Sequence, residues 1–293
     1  MITIMINGFC MALADSVPGV SGGTIAFLMG FYDNFIGSIN NLIRGSKNER
    51  ISALKYLLKL GLGWIIGMGL AVTVLSAVFE KGIYHVSSLF IGFIIFAIPV
   101  MIYEERNNLK NYRDTPFIIP GAALVILISV LGTGNSADIS NMNPALFLYA
   151  FIAGMAAISA MVLPGISGST LLLTFGLYIP VINSLKQLMH LDFSGVPLLF
   201  AVGLGIIVGI IVSVRLIKNC MERFRGQTIY SVIGMMIGSL YAIVQGPTTL
   251  KVPQAAMSFD TFHLLPFFIG AALVVGMQAA KIISVKNKTQ TLA

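Results

Sequence analysis

Six long apolar runs constrain this chain more than any other feature: Leu57–Phe79, Val86–Tyr103, Pro116–Leu131, Val196–Ile217, Ile229–Val244 and Leu264–Ile283. Most approach the roughly 20 residues that a helix needs to cross about 30 Å of hydrocarbon. Such a chain takes lipid as its solvent. Its composition agrees, with 57% hydrophobic residues and 10% charged, whereas a soluble domain carries about 25% charge to keep its surface wet. No stretch between the runs is long enough for a separate soluble domain. Residues 1–293 are therefore expected to form one all-α polytopic membrane domain.

The remaining composition mostly excludes. The formal charge of +7 fits basic residues flanking membrane helices on the cytoplasmic side, and no nucleic-acid partner is expected. Cys10 and Cys220 are too few and too far apart for a disulfide framework or a metal cluster. The N-terminus has no basic region or small-residue cleavage site, so no cleaved signal peptide is expected. His85, His190 and His263 have no metal-ligand spacing and are expected at membrane edges in structural roles.

The chain also contains itself twice. Gly8–Leu42 aligns with Gly154–Leu188 without gaps, and Pro18-Gly19-Val20-Ser21-Gly22-Gly23-Thr24 returns as Pro164-Gly165-Ile166-Ser167-Gly168-Ser169-Thr170. Gly30 and Tyr32 match Gly176 and Tyr178. Gly61, Gly63 and Gly67 match Gly203, Gly205 and Gly209, and Gly92 matches Gly234. Gly121-Ala122-Ala123-Leu124-Val125 returns from Gly270. We set repeat one at 1–135 and repeat two at 145–285. The paired Gly-x-Gly strings suit close helix packing; no P-loop lysine or strand–helix nucleotide unit accompanies them.

Proline and clustered glycines break a helix interior. The apolar arms around each break, Met1–Ala14 with Ile25–Ile39 and Leu146–Val162 with Leu171–Leu185, would each be about 20–25 Å long as helix. That reaches mid-membrane without a comfortable crossing. Each arm pair is therefore expected to form a re-entrant hairpin, allowed only where protein or a watery cavity surrounds it. With the six long runs crossing and both termini cytoplasmic, 15 of the 18 basic residues fall inside, leaving Lys81, Lys186 and Lys251 outside. Three crossings per repeat invert the second copy. The expected fold is thus two inverted repeats, each a re-entrant helical hairpin plus three transmembrane helices, as in secondary transporters.

A helix restarting after each break leaves amide groups without partners at its positive end. Ser21, Gly22, Gly23 and Thr24, with Ser167, Gly168, Ser169 and Thr170, are the candidate substrate-binding residues. Two such ends meeting at mid-membrane suit an anion, phosphate above all. The competing reading is that they only cap and pack helices. Asp15 is the acidic residue beside the break of the first hairpin, and its counterpart is Met161. A carboxyl inside a membrane is a functional candidate; here it either exchanges a coupling proton or caps nearby amides. Arg44 and Arg215 are candidate cationic partners, with interfacial charge as the plainer reading. No catalytic residue or metal is expected.

Ala14-Asp15-Ser16-Val17-Pro18-Gly19-Val20-Ser21-Gly22-Gly23-Thr24, with Gly30-Phe31-Tyr32, closely resembles the first signature of the polyprenyl-phosphate transporter family. Leu163-Pro164-Gly165-Ile166-Ser167-Gly168-Ser169, with Gly176-Leu177-Tyr178, resembles its second. The resemblance covers nearly the whole chain. It implies a flippase of the bacterial cytoplasmic membrane that returns undecaprenyl phosphate from the outer to the inner leaflet, recycling the lipid carrier for cell wall biogenesis. It further implies coupling to an ion gradient, proton or sodium, with no bound cofactor. Its partners would be polyprenyl phosphate and membrane lipids, and a homo-oligomer is left open. Two other readings compete. A secondary transporter of a small soluble anion uses the same site physics; a lateral apolar opening would favour the lipid. An intramembrane serine protease is suggested by Gly19-Val20-Ser21-Gly22 and Gly165-Ile166-Ser167-Gly168, but it needs a histidine base beside the serine, and none lies mid-helix.

Overall fold

The structure is a computed structural model. It describes residues 2–15, 21–109, 111–131, 142–163, 168–249 and 254–291; within these, side chains are described except at 72–81, 169–170, 173, 185–186, 189, 249, 277 and 280–291. The described residues form helices and short 3₁₀ turns without strands. The helices are α1 (Ile2–Asp15), α2 (Gly22–Leu28), α3 (Tyr32–Arg44), α4 (Lys47–Glu104), α5 (Ile118–Leu131), α6 (Pro144–Val162), α7 (Gly168–Thr174), α8 (Tyr178–Met189), α9 (Val196–Arg223), α10 (Arg225–Gln245) and α11 (Leu264–Thr291).

Six segments are long and apolar enough to cross a membrane: Lys47–Ala71, Gly82–Glu104, Tyr112–Leu131, Pro144–Val162, Val196–Arg223 and Arg225–Thr248. The chain is a multi-pass membrane protein. Five of these overlap the runs read from the sequence. The sixth, α6, has 19 residues, so the arm read as falling short of a crossing has the length to make one. The first two spans form the limbs of α4, which bends where Gly82 leaves helical geometry (φ −144°, ψ 32°).

The chain reverses direction after α1 and again after α6. α2 lies back along α1, and α7 back along α6, where a methyl on Gly168 would press on the Ala157 carbonyl. Tyr149, near the start of α6, donates a 2.8 Å hydrogen bond to the Phe175 carbonyl, so the return strand of chain runs down to that level. Each return arm was expected as one long helix; the structure divides it in two. α2 and α7 have seven residues each, about 10 Å at 1.5 Å per residue. Gly30 (φ 71°) and Gly176 (φ 65°) stop them in left-handed backbone. The Phe31 amide then bonds the Ala26 carbonyl and the Leu177 amide the Leu172 carbonyl, the 6→1 bond of a Schellman cap.

Glycines set the close helix crossings. A methyl at Gly8 of α1 would overlap the Leu60 carbonyl of α4, and at Gly63 of α4 the Met5 carbonyl. The matching positions do the same in α6 and α9: Gly154 lies on Val202 and Gly205 on Phe151. Farther on, Gly92 of α4 lies on Phe267 of α11, and Gly234 of α10 on Ile118 of α5. α11 thus packs on α4, and α5 on α10. Without water to drive association, such backbone proximity supplies much of the packing in lipid.

Candidate functional site

α1 ends at Asp15 and α2 begins at Gly22. Between those ends the Asp15 carboxylate makes two bonds. Oδ1 accepts the Gly22 amide at 2.7 Å, and Oδ2 accepts the Trp64 indole N–H at 2.9 Å. Short charge-assisted bonds of this kind offset much of the cost of a carboxylate in an apolar setting. A cavity of about 220 Å³, otherwise walled by apolar side chains of α1, α3, α4, α6 and α9, reaches Asp15 and Trp64.

Ser21 caps α2 from extended backbone, accepting the Gly23 amide at 3.1 Å, as a helix N-cap does. Its hydroxyl also donates to the Leu163 carbonyl at 3.1 Å, across 142 residues of sequence. Beside it the Tyr32 hydroxyl donates to the Val162 carbonyl at 3.1 Å. Gly23 sits so close that a methyl there would lie 3.1 Å from the Val162 carbonyl oxygen. The start of α2 and the end of α6 are therefore in direct contact.

The α2 amides are not bare in this arrangement. Gly22 is held by Asp15, Gly23 by the Ser21 hydroxyl, and Thr24 by the Ser21 carbonyl at 3.0 Å. In the second copy Gly168 opens α7 and is buried. Ser167 lies outside the described residues, with Pro18, Gly19, Val20, Pro164, Gly165 and Ile166. Ser169 and Thr170 belong to α7, and their side chains lie outside the described set. Ser21 Oγ is engaged by Gly23 and Leu163 rather than by an imidazole, unlike a serine nucleophile.

Arg44 ends α3 and Arg215 lies on α9; both are exposed. Among the described residues neither forms an ion pair with a hairpin carboxylate. Among the described residues, Arg225, at the start of α10, pairs with a carboxylate of the first hairpin. It grips Glu105 through Nη2 at 2.6 Å and Nε at 2.9 Å, and reaches Asp33 of α3 at 3.3 Å. Charge spacing alone does not reveal which basic residue of the α9–α10 turn points inward. Trp64 was also missed, although one signal pointed to it. It is the chain's single tryptophan, and its repeat counterpart is Ile206, just as Asp15 faces Met161. Two residues that break the repeat thus bond each other. His85 and His263, far apart in sequence, stack with ring centroids 3.6 Å apart.

Residues 11–261 match the VCA0040-like family, described as undecaprenyl phosphate translocase-like. A polyprenyl-phosphate transporter of Staphylococcus aureus is 34% identical over 255 residues, covering 84% of this chain and 87% of the relative. A polyprenyl-phosphate transporter of Vibrio cholerae serotype O1 is 29% identical over 256 residues, covering 84% and 78%. No solved structure matches the chain. These are transporters and not enzymes. A match that runs from the middle of α1 almost to α11 places the chain in the undecaprenyl phosphate translocase-like family.

Proposed function

We propose that the protein returns undecaprenyl phosphate from the outer to the inner leaflet of the bacterial cytoplasmic membrane. In this reading two inverted repeats, 1–135 and 145–285, each contribute a re-entrant hairpin, both termini are cytoplasmic, and the phosphate binds where the hairpins meet. The contact of Ser21 with the Leu163 carbonyl carries the reading. It joins the start of α2 to the end of α6, two breaks the sequence duplicates. The matched glycine contacts support a duplicated architecture, and the relatives' names support the lipid.

Asp15 then acts as a built-in anion. Its carboxylate occupies the Gly22 amide that a phosphate oxygen would take. Protonation removes its charge and weakens that bond, which frees the amide for the lipid and couples proton entry to substrate binding. Ser21, Gly22, Gly23 and Thr24 supply one side of the site, and Ser167, Gly168, Ser169 and Thr170 the other.

Purified protein in proteoliposomes tests this, with leaflet movement of polyprenyl phosphate followed under an imposed pH gradient. Asp15→Asn is expected to leave transport insensitive to the gradient. Unchanged gradient dependence removes the coupling role of Asp15. Movement of inorganic phosphate but not of the lipid returns the site to a soluble-anion carrier.

A further inference from the structure

We propose that a lateral apolar groove beside the hairpin junction holds the polyprenyl tail of the transported lipid; this rests on the lipid-phosphate reading above. The groove lies between α9 and α10 and encloses about 590 Å³, within the roughly 300–1,000 Å³ usual for ligand cavities. Its inner end is formed by Phe27 and Tyr32 of the first hairpin and Leu163 of the second. Two of these take part in the bonds that join the hairpins: the Tyr32 hydroxyl donates to the Val162 carbonyl, and the Leu163 carbonyl accepts from the Ser21 hydroxyl. Its rim carries Val212, Leu216 and Phe224, which are 51%, 61% and 57% exposed. Val212 and Leu216 sit on α9, which is long enough to span a membrane, and Phe224 forms its turn to α10, so the groove opens on the flank of the helices, where hydrocarbon would lie.

The lining selects hydrocarbon and rejects phosphate. Tyr32, Ser159, Ser213, Thr228 and Ser231 bring hydroxyls to the wall, and three of them are turned back onto their own helices. Ser213 donates to the Gly209 carbonyl at 2.6 Å, Ser159 to Met155 at 2.7 Å and Thr228 to Phe224 at 2.8 Å. A phosphate drawn into the groove would lose its water and gain few donors. On the far side of the Phe27–Tyr32 ring pair lies a polar chamber of about 370 Å³. Asp33, Glu104 and Glu105 line it against Arg225 alone, a balance that repels an anion. The phosphate therefore belongs at the junction between these spaces, with its tail in the groove. A tail longer than the groove stays in the bilayer beyond the rim, so it never has to leave apolar surroundings while the headgroup moves.

Cys220 lines the groove, and Cys10 is the only other cysteine. In Cys10→Ser protein reconstituted in phosphatidylcholine vesicles, an apolar maleimide reports occupancy at Cys220. Polyprenyl phosphate is expected to slow labelling several-fold, while inorganic phosphate leaves the rate unchanged. Ser231→Phe, which fills the groove wall from α10, is expected to slow transport of the long-chain lipid several-fold and to spare geranyl phosphate. If polyprenyl phosphate is transported while Cys220 labels at its unliganded rate, the tail runs elsewhere and the groove assignment falls, with the lipid reading intact. If phosphatidylglycerol protects Cys220 as well as polyprenyl phosphate does, the groove holds ordinary bilayer lipid and the assignment also falls. Failure to transport polyprenyl phosphate at all, with inorganic phosphate carried instead, overturns both.

Discussion

The two hairpins share a backbone plan and differ in chemistry. Each has an apolar helix, a break, a seven-residue helix and a stop at a left-handed glycine, Gly30 or Gly176. Each inserts matched glycines into the helix that follows. Only the first carries a carboxylate, and only the helix beside it carries an indole to bind it. Tyr32 is 3% exposed and tied to Val162, whereas its counterpart Tyr178 is 36% exposed. The duplication therefore repeats what positions the helices, while the Asp15–Trp64 bond belongs to the first copy, whose counterparts are Met161 and Ile206. Packing and chemistry can be perturbed separately in such a protein.

The largest effects are expected at the shared glycines. Gly8→Leu and Gly154→Leu each drive a side chain into a backbone carbonyl, Leu60 or Val202, of the adjoining helix. Overpacking costs about 1–3 kcal/mol even where neighbours can shift, and backbone yields less readily than side chains. Both variants should lose most monodisperse protein in size-exclusion chromatography, to a similar degree. A well-folded Gly154→Leu beside a collapsed Gly8→Leu would break the equivalence of the two crossings.

Next comes the residue pair that separates the copies. Asp15→Ala leaves the Gly22 amide and the Trp64 indole N–H without their acceptor, at a cost of about 1–3 kcal/mol for each stranded group. Transport in proteoliposomes should fall by more than an order of magnitude, whereas Met161→Ala should stay near wild type. Equal losses would mean that the carboxylate adds nothing beyond side-chain volume. Trp64→Phe keeps most of the ring and removes one bond to a charged acceptor, about 1.5–3 kcal/mol, so it should fall between the two.

Much of the fold was legible because lipid imposes a plain rule that long apolar runs form crossing helices, and five of the runs read from hydropathy coincide with segments long and apolar enough to cross. The glycine matches were also readable, since identical spacing in two copies implies identical contacts. The return arms were not. Ile25–Ile39 reads as a continuous apolar stretch, and only the positive φ of Gly30 shows that it stops and restarts. The site was legible in part. Asp15 stands out as a charge in an apolar arm, but its partner Trp64 lies 49 residues away, beyond any local pattern. Arg225 was passed over for Arg44 and Arg215 because facing direction follows from packing, and the turn after Arg223 that aims Arg225 at Glu105 leaves no trace in charge spacing.

The smallest effect tests the same asymmetry most finely. Tyr32→Phe deletes a single hydroxyl that bonds the Val162 carbonyl and leaves the ring against Phe27, 4.4 Å away between centroids. Hydrogen bonds between membrane helices are worth about 0.6 kcal/mol on average, so a small drop in the thermal midpoint of detergent-solubilised protein is expected. Tyr178→Phe removes the equivalent hydroxyl from an exposed position, where a substitution shifts stability by less than about 0.5 kcal/mol. The two phenylalanines differ only in whether a hairpin carbonyl loses its donor. A midpoint lowered by Tyr32→Phe alone supports a polar tie between the hairpins, while identical midpoints would reduce the Tyr32–Val162 bond to a contact without energetic weight.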